Sequence, residues 1–431
     1  MNTKAWRLYN AGEAKLENIE LPAAGEDGVV VEIVTNTICL SDWKAVTLGT
    51  GHKRVPKDIA VNPTMFGHEI SGIVREVGPK WASEFRVGQR VCIQPAFNIP
   101  GREMETMGYA WHTVGGETTH VYLPSIIMEM GCLLPYEGDA FFRCSLAEPI
   151  SCIVSAFRTN YHHAFGSHVH EMGIEKGGRM LLMAGCGAMG LGCIDIAIHN
   201  PEKRPRELVV TEVDDWRLER AKAMFPVEDA KKNGVELKFV NPKKEAIEGK
   251  FDDIFLFAAV PALISQCSDL LAFGGCLNFF AGPTDQKLSA PFNFYNIHYS
   301  NHHIVANSGG DVKDMADSVD WIGKGYLHPE VMITHVGGLD SAFDATMTLH
   351  EVPGGKRLVY THVDMPMTAI ADFAEKGKTD PFFARLAELC AANAGLWSKE
   401  AEDYLLANAP KTSIGEPVAK VVETCCAGVK V

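Results

Sequence analysis

The sequence lacks the long apolar run that a membrane-spanning segment requires: no stretch of about 18 consecutive apolar residues occurs in its 431 residues. Basic residues are also in the minority. The chain has 40 Lys and Arg against 54 Asp and Glu, which gives a formal net charge of −14. An acidic surface repels phosphate backbones and anionic lipids. We therefore expect neither nucleic acid nor a membrane as a partner of this chain.

The cysteines lack the spacing of a disulfide framework. The 12 cysteines are scattered without a Cys-x-x-Cys pair, and the one tight cluster is Cys425–Cys426. The stretch from Met1 to Glu20 contains charged residues and no apolar segment, so it does not resemble a signal peptide. Disulfides are typical of exported proteins, whereas cytosolic cysteines are more often buried, catalytic or metal-binding. These patterns predict a cytoplasmic protein.

Length and pattern indicate more than one domain, because 431 residues exceed one ordinary hydrophobic core. In the first 150 residues or so, short β-branched strands such as 29–34 and 70–77 are separated by turns. From about residue 155, apolar strands alternate with helices, which is typical of a doubly wound parallel sheet. The strands predicted there are 179–183, 208–211, 251–257 and 276–280, and the helices are 191–198, 217–225 and 261–271.

The chain becomes helical and rich in alanine after residue 360. Asp380 is a predicted N-cap for a helix over 382–393. Ser398 is a predicted N-cap for a second helix, with acidic residues, Glu402 among them, in its first turn, where the helix dipole favours negative charge. We expect this tail to pack on its own subunit. Covering an active-site cleft or forming a subunit contact are the alternatives.

A glycine-rich stretch follows the predicted strand at 179–183 and opens a predicted helix. It has the sequence Gly185-Cys186-Gly187-Ala188-Met189-Gly190, and Glu212 stands 22 residues beyond its last glycine. Glycines at this spacing let the backbone approach a pyrophosphate at a helix N-terminus, while the acid binds the ribose hydroxyls. An ordinary turn is the structural alternative.

We therefore predict a dinucleotide-binding site formed by Gly185, Gly187, Ala188, Met189, Gly190, Glu212 and Arg217. An acid at position 212 repels a 2′-phosphate, so the sequence favours NAD(H). Arg206 and Arg217 lie nearby in the sequence, and for this reason NADP(H) stays an alternative.

A second constellation combines the thiol of Cys39, the imidazole of His68 and the carboxylate of Glu148. Taken singly, these residues have ordinary interpretations: a core thiol, a turn histidine and a helix-capping acid. Together they suit zinc, and three protein ligands leave a fourth position open for water or substrate. Asp42 is a candidate partner for the second ring nitrogen of His68.

These residues stand in stretches that resemble the zinc-dependent medium-chain alcohol and polyol dehydrogenases. The resemblance runs from about residue 4 to 362 and includes Cys39-x-Ser41-Asp42, Gly67-His68-Glu69, Gly88-x-Arg90-Val91, Glu148-Pro149, the glycine-rich stretch, Gly274-Gly275, Thr334-His335 and Gly355-Lys356. It implies an α/β fold with a GroES-like β-barrel catalytic domain over 1–157 and 301–362. A Rossmann domain with a doubly wound parallel sheet would occupy 158–300, and a helical C-terminal extension would occupy 363–431.

The resemblance also implies roles for individual residues. Cys39, His68 and Glu148 match the catalytic zinc ligands of the polyol dehydrogenases, with Glu69 able to exchange in; Cys152 is an alternative third ligand. Ser41 matches the hydroxyl that takes the substrate proton. In such enzymes zinc binds the substrate oxygen and lowers its pKa, while hydride passes between the substrate carbon and the nicotinamide.

Three departures from the family pattern bear on function. Cys92 is the one cysteine between residues 92 and 122, so the second, structural zinc site of many relatives is absent. Lys44 replaces a frequent relay histidine, and it can pass protons or attract an anion, unless it is a solvated surface lysine. The segment 158–173 is longer than in relatives and contains His162, His163, His168 and His170, which form either a second metal site or a polar loop.

The basic residues near the predicted zinc site favour a phosphorylated substrate, since a buried phosphate needs cationic partners. Lys44, His52, Lys53 and Arg54 follow the zinc cysteine, and the lobe without structural zinc carries Arg102, His112 and His120. Among these we regard Lys44, Arg54 and His52 as candidate substrate residues.

Together with the chain length and the helical tail, these residues resemble the sorbose-1-phosphate reductase type, which interconverts a ketose 1-phosphate and a hexitol 6-phosphate. An unphosphorylated polyol or sugar is the alternative substrate. A non-catalytic dinucleotide-binding redox sensor is the alternative from another class. Members of the family are usually dimers or tetramers, so we expect a homo-oligomer.

Overall fold

A computed structural model describes residues 1–96, 101–352 and 354–422. The strands within these ranges are β1 (Asn2–Asn10), β2 (Glu13–Glu20), β3 (Val29–Ile38), β4 (Thr64–Met65), β5 (Ile70–Val77), β6 (Arg90–Ile93), β7 (His120–Leu123), β8 (Leu133–Pro135), β9 (Tyr161–His162), β10 (Glu171–Met172), β11 (Arg179–Met183), β12 (Glu207–Thr211), β13 (Glu236–Val240), β14 (Phe251–Leu256), β15 (Leu271–Asn278), β16 (His303–Val305), β17 (Ile333–Gly338), β18 (Lys356–Tyr360), β19 (Thr368–Ala369) and β20 (Ala419–Lys420).

The α-helices of the described ranges are α1 (Leu40–Leu48), α2 (Ser125–Glu129), α3 (Phe141–Ser145), α4 (Ala147–Thr159), α5 (Ala188–His199), α6 (Asp215–Met224), α7 (Val227–Lys232), α8 (Pro261–Leu270), α9 (Phe294–Tyr299), α10 (Val312–Gly323), α11 (Ala342–Met347), α12 (Phe373–Lys376), α13 (Pro381–Ala392) and α14 (Lys399–Asn408). In the described part of the chain, no helix combines the length and the apolar character needed to cross a membrane. The pair Cys425–Cys426 lies outside the described residues.

The chain divides into two compact units. The first comprises Met1–Glu148 and Ile333–Val431, and the second is the continuous segment Pro149–Met332. The first unit therefore begins and ends the chain, with the second inserted between its two parts. The finer domain boundaries at residues 157, 300 and 362 stay predictions.

The second unit is built around a six-stranded parallel sheet in the order β13-β12-β11-β14-β15-β16. From β11 the chain moves outward through β12 to β13, and it then returns to continue on the other side with β14. This reversal of direction beside β11 is the arrangement of a doubly wound nucleotide-binding sheet. The core packs Leu181, Ile254 and Leu277 of three neighbouring strands together. The predicted doubly wound parallel sheet is confirmed.

The first unit is mainly antiparallel, and β3 lies at its centre. An eight-stranded sheet has the order β19-β17-β18-β3-β5-β6-β8, with β7 also paired to β3, and a second sheet has the order β20-β2-β1-β4. Residues 29–38 are rich in β-branched side chains, and all but Glu32 are buried; β18 and β5 pair with the two edges of this strand. The strand ends at Ile38, immediately before Cys39.

The C-terminal extension begins its helices at the predicted caps. The Asp380 side chain accepts a hydrogen bond from the Phe382 backbone N–H at 2.9 Å, and the Ser398 hydroxyl accepts one from the Ala401 N–H at 3.1 Å. The extension packs within the first unit, where Trp397 Nε1 donates to the Tyr360 hydroxyl at 2.8 Å. Packing on its own subunit is thus what the described residues show.

Glu402 joins the extension to the helix that precedes α4. Its buried carboxylate accepts hydrogen bonds from the backbone N–H groups of Phe141 and Phe142 at 2.8 and 2.9 Å, and from the Tyr360 hydroxyl at 2.9 Å. The first two donors belong to the first turn of α3, where backbone N–H groups have no acceptor within the helix itself. Burial raises the pKa of Glu402 to about 7, although these hydrogen bonds oppose the shift. One side chain of the extension therefore supplies the missing hydrogen-bond acceptors at the start of a helix in the first unit.

Replacing Glu402 by Gln tests this connection. The amide has one acceptor oxygen where three buried donors need partners, so we expect Glu402→Gln to lower the free energy of unfolding by about 1–3 kcal/mol. Thermal unfolding followed by circular dichroism would measure the change. Glu400→Gln is the matched control, because Glu400 is exposed in the same helical turn. Equal unfolding temperatures for the two variants would contradict the role assigned to Glu402.

Candidate active site

Cys39 lies where β3 ends and α1 begins. It is the N-cap residue of α1, with extended backbone angles, and its backbone N–H donates to Asp42 Oδ2 at 2.9 Å. The Ser41 hydroxyl donates to Cys39 Sγ at 3.1 Å. A strand end and a capped helix start thus hold the thiol and a neighbouring hydroxyl in fixed positions.

His68 is held by a buried carboxylate. Its Nδ1 lies 2.7 Å from Asp42 Oδ1, so Asp42 contacts both Cys39 and His68. Burial lowers the pKa of His68, but the charge and hydrogen bond of Asp42 outweigh it, and the net effect raises the pKa well above its usual value. A carboxylate on one ring nitrogen fixes the ring orientation, as is common for metal-ligating histidines. The predicted contact between Asp42 and His68 is present.

Cys39, His68 and Glu69 converge on one point. A ligand atom from each of the three lies within 4.8 Å of the other two. Thiolate, imidazole and carboxylate are the donors that zinc prefers in proteins, so this set of side chains fits a zinc ion.

Glu69 is also bound by a lysine that the sequence did not single out as a site residue. Lys356 Nζ and the Thr37 hydroxyl donate to the two oxygens of the Glu69 carboxylate, and all three side chains are buried. Burial lowers the pKa of Lys356, but the charges of Cys39, Glu69 and Glu148 raise it by more. In the sequence, Lys356 is part of the Gly355-Lys356 motif, but that motif does not predict which residue its side chain contacts.

Glu148 borders the cluster but is not among the three residues whose ligand atoms converge. It lies in the first turn of α4 with 7% of its surface exposed. Burial and the charge of Glu69 raise its pKa to about 7, whereas His68 and Lys356 lower it. In addition to Asp42, the carboxyl groups of Glu69 and Glu148 are therefore near the His68 ring, and Glu69 is bound to Lys356.

Tyr109 is a residue of this site that the sequence analysis missed. Its hydroxyl lies 3.0 Å from His68 Nδ1 and 3.4 Å from Nε2, and its ring is buried. The His52 ring stacks against it at 5.8 Å, and the Arg54 guanidinium lies 5.6 Å from its centroid. Tyr109 belongs to the lobe that has no structural-zinc cysteines, and no motif marked it.

Two of the basic residues after Cys39, His52 and Arg54, lie against Tyr109. Burial lowers the pKa of half-buried Lys44, and the Cys39 thiol opposes this change. Burial, and then the charges of Arg54, Lys53 and Lys44, lower the pKa of His52 to about 4. Within the described residues, the buried Nε of Arg54 has no hydrogen-bond partner. An unsatisfied buried guanidinium donor suits an anionic ligand.

The second predicted basic group has other contacts. Arg102 Nε donates to Glu105 Oε2 at 3.0 Å, His112 Nδ1 lies 3.3 Å from the Pro63 carbonyl oxygen, and His120 Nε2 lies 3.9 Å from a carboxylate oxygen of Glu32. The basic group that touches Tyr109 thus consists of His52 and Arg54, with Lys44 as their electrostatic neighbour.

Within segment 162–170, His162 is buried, whereas His168 and His170 are exposed. His162 Nε2 lies 3.0 Å from Asp253 Oδ1, and its Nδ1 lies 3.2 Å from the Gly274 carbonyl oxygen. His163 and His170 are ring neighbours of His303, at 5.3 and 6.4 Å. In the described ranges, these histidines belong to none of the clusters with convergent metal-ligand atoms.

The glycine-rich loop connects β11 to α5 in the second unit. A side chain at Gly190 would place its Cβ 2.1 Å from the Gly185 carbonyl oxygen, so only glycine allows this helix to approach the strand end. At Gly187, which is the N-cap of α5, a Cβ would meet no atom within 4 Å. The open space above Gly187 leaves room for a ligand at the helix N-terminus, where a pyrophosphate would be stabilised.

Ala188 and Met189 form the first helical turn after the loop. Glu212 follows the end of β12, and its Oε1 accepts hydrogen bonds from the Val213 and Asp214 backbone N–H groups at 2.8 and 3.2 Å. Arg217 stands in α6, where its backbone N–H donates to the capping Asp214 side chain. The predicted acid therefore has a fixed position beside the strand end, and the loop fits the phosphates of a dinucleotide.

Comparisons with known proteins agree with this geometry. Residues 25–131 match the family model described as the alcohol dehydrogenase GroES-like domain. The chain is 43% identical to mannitol-1-phosphate 5-dehydrogenase of Aliivibrio fischeri, over 94% of this chain and 97% of that protein. It is 42% identical to L-sorbose 1-phosphate reductase of Klebsiella pneumoniae, over 94% of this chain and 98% of that protein.

A solved structure shares the fold. The 2R,3R-butanediol dehydrogenase from Bacillus subtilis superposes with a TM-score of 0.65 and 21% identity, over 83% of this chain and 99% of that one. Together with the matching family model, this likeness confirms the predicted fold class, a GroES-like domain combined with a Rossmann-type parallel sheet.

Removal of the Lys356 charge should destabilise the first unit. We expect Lys356→Met to lower the free energy of unfolding by about 3–5 kcal/mol, because it leaves the buried Glu69 carboxylate without its counter-charge. Denaturant unfolding would measure the loss. The double variant Lys356→Met with Glu69→Gln removes both charges, and we expect it to recover at least half of that loss. A double variant no more stable than the single one would contradict this explanation.

Proposed function

Because the chain belongs to the zinc-dependent medium-chain alcohol and polyol dehydrogenases, we propose that it interconverts a ketose 1-phosphate and a hexitol 6-phosphate with a nicotinamide cofactor. It is an oxidoreductase acting on a CH–OH group, and its polyol-phosphate dehydrogenase type of activity is supported by the two curated relatives at 42% and 43% identity. The observation that carries the substrate proposal is the contact of His52 and Arg54 with Tyr109, whose hydroxyl reaches His68.

We propose Cys39, His68 and Glu148 as the ligands of one catalytic zinc ion, with Glu69 as the ligand that exchanges in. Lys356 and Thr37 hold both oxygens of Glu69, and for this reason we assign the resident position to Glu148. The chemistry supplied by zinc when bound is Lewis-acid polarisation of the substrate oxygen. Asp42 keeps the His68 ring oriented for this ligation.

Ser41 is the proposed holder of the substrate hydroxyl proton. This assignment is supported by the distance of 3.1 Å between its hydroxyl and Sγ of Cys39, a proposed zinc ligand. Burial lowers the pKa of Lys44, so this side chain exchanges a proton more readily near neutral pH than an ordinary surface lysine does. We therefore propose that Ser41 receives the proton from the substrate hydroxyl and that Lys44 passes this proton on towards solvent. Glu69 contributes its carboxylate to the same cluster.

The proposed cofactor site is the loop from Gly185 to Gly190 with Glu212 and Arg217. The cofactor supplies the hydride chemistry, and the loop supplies backbone N–H groups for its pyrophosphate. The Glu212 carboxylate favours the free ribose hydroxyls of NAD(H) over the 2′-phosphate of NADP(H). NADP(H) is the alternative, because the positive charge of Arg217 can bind a 2′-phosphate.

The proposed phosphate site consists of Lys44, His52 and Arg54. The buried Nε of Arg54 lacks a hydrogen-bond partner among the described residues, which is costly unless a ligand accepts a hydrogen bond from it. A phosphate would accept a hydrogen bond from this donor and balance the charges of Lys44 and Arg54.

We further propose that the protein acts in the cytoplasm as a homodimer or homotetramer. Exposed aromatic side chains on α9, namely Phe294, Tyr295 and Tyr299, are consistent with subunit association.

Zinc content tests the ligand assignment. We expect Cys39→Ala to lose one equivalent of bound zinc and at least about 100-fold in kcat/KM, since Lewis-acid stabilisation contributes several kcal/mol. Elemental analysis of the purified protein and steady-state kinetics would measure both. Cys152→Ala is the matched control and should keep its zinc. Loss of zinc in Cys152→Ala and retention in Cys39→Ala would transfer the thiolate role to Cys152.

Neutral variants of the basic residues test the substrate class. We expect Arg54→Met and Lys44→Met each to raise KM for a hexitol 6-phosphate by about 10–100-fold, because each removes a charge-assisted hydrogen bond worth about 1.5–3 kcal/mol. Nicotinamide absorbance with NAD and NADP would follow turnover of phosphorylated and unphosphorylated polyols. Lys53→Met is the control, because Lys53 is exposed between the two proposed contacts. If KM stays unchanged and an unphosphorylated polyol is turned over equally well, the substrate is the unphosphorylated polyol.

A further inference from the structure

A second group of metal-ligand atoms lies in the nucleotide-binding unit. Asp195 and His199 are four residues apart on α5, and His328 precedes the 3₁₀ turn Pro329–Met332. The three side chains offer a carboxylate oxygen and two imidazole nitrogens, all within 4.8 Å of one another. All three belong to the unit Pro149–Met332. We propose that they bind a divalent transition-metal ion of the zinc class, independently of the proposed catalytic zinc.

The separations of the three donor atoms match the coordination sphere of such an ion. Asp195 Oδ1 lies 2.9 Å from His199 Nδ1 and 3.4 Å from His328 Nδ1. Zinc ligands at about 2.0–2.1 Å in tetrahedral geometry are about 3.3 Å from one another. The two imidazole rings are 5.2 Å apart at an angle of 69°, so they face the same carboxylate oxygen from two directions. An ion between the three atoms requires small side-chain movements and no backbone change.

The carboxylate is positioned by the backbone. Asp195 Oδ2 accepts the backbone N–H of His328 at 2.7 Å, which turns Oδ1 towards the two rings. Carboxylate ligands of metals are commonly held by such a hydrogen bond. The Asp195 side chain is 1% exposed, whereas His199 is 24% and His328 is 49% exposed. The site thus has a rigid buried donor at its base and an imidazole at its mouth, through which an ion can enter.

The position on the helix also favours a cation. Asp195 and His199 lie in the last turn of α5, which ends at His199. The C-terminus of a helix carries partial negative charge, and this charge attracts positive ions. Residues four apart on a helix project from the same face, so Asp195 and His199 can share one ion.

Ligation requires one change in the imidazoles. His199 Nδ1 lies 3.1 Å from the Asp195 backbone carbonyl oxygen as well as near the carboxylate, which is the geometry of an Nδ1–H donor. A neutral ring that carries its proton on Nε2 presents a lone pair at Nδ1 instead. Each ring keeps one proton in this exchange, so binding releases no proton from a neutral site. Neutral imidazole suits zinc, copper and nickel, and a site with one carboxylate and two imidazoles leaves positions for water.

Bound metal in the zinc-saturated enzyme tests the proposal. We expect the wild-type protein to hold one more equivalent of zinc than His328→Ala and His199→Gln after dialysis, measured by elemental analysis. Titration with Zn²⁺ by calorimetry should show the additional site in the wild type and at least a tenfold weaker one in each variant. His328→Ala keeps the backbone N–H that orients Asp195, so it preserves the local fold. His298→Ala is the control, because His298 is an exposed histidine of the same unit.

The same measurements distinguish this site from the proposed catalytic zinc site. Loss of metal in Cys39→Ala with retention of the His328-dependent equivalent would support two independent sites. Thermal unfolding gives a second readout, since an ion that binds only the folded state raises Tm. We expect Zn²⁺ to raise the Tm of the wild type above that of His328→Ala. Equal zinc content, equal calorimetric titrations and equal Tm for wild type and both variants would overturn the proposal.

Discussion

The buried ion pair between Lys356 and Glu69 is the interaction on which the candidate metal centre depends. It joins residues separated by 287 positions in the chain. Removing either partner alone would leave a charge in a site closed to water. Thr37 on β3 shares the same carboxylate, and β3 leads directly to Cys39. The Cys39 thiol, the His68 imidazole and the Glu148 carboxyl group therefore lie around a pair that forms only when β18 lies beside β3.

Features encoded in a few neighbouring residues were predictable from the sequence. The alternation of apolar strands and helices after residue 155, the glycine-rich loop and the caps at Asp380 and Ser398 are all present where they were predicted. Each depends on backbone geometry or periodicity within about ten residues. The contact between Asp42 and His68 was also predictable, because the family pattern places both residues at the same centre.

Contacts between distant segments were not predictable. Tyr109 lies in a segment without a motif, and only the fold brings its hydroxyl to His68. Glu402 was expected to interact with the dipole of its own helix, yet its carboxylate satisfies the start of α3, about 260 residues earlier. The basic residues illustrate the same limit. His52 and Arg54 are two positions apart and meet around one ring, whereas Arg102, His112 and His120 are spread over a longer segment and have separate partners.

The insertion of one unit within the other has a consequence for the order in which the protein is made. The second unit is continuous from Pro149 to Met332, so all its strands are available once that segment has been synthesised. In the first unit, β18 can pair with β3, and Glu402 can bind the start of α3, only after nearly the whole chain has left the ribosome. Contacts of such long range form slowly, and an unpaired strand edge is prone to associate with other chains. The growing chain is therefore most vulnerable to aggregation during synthesis, and the unit that carries the candidate metal centre is the last to become complete.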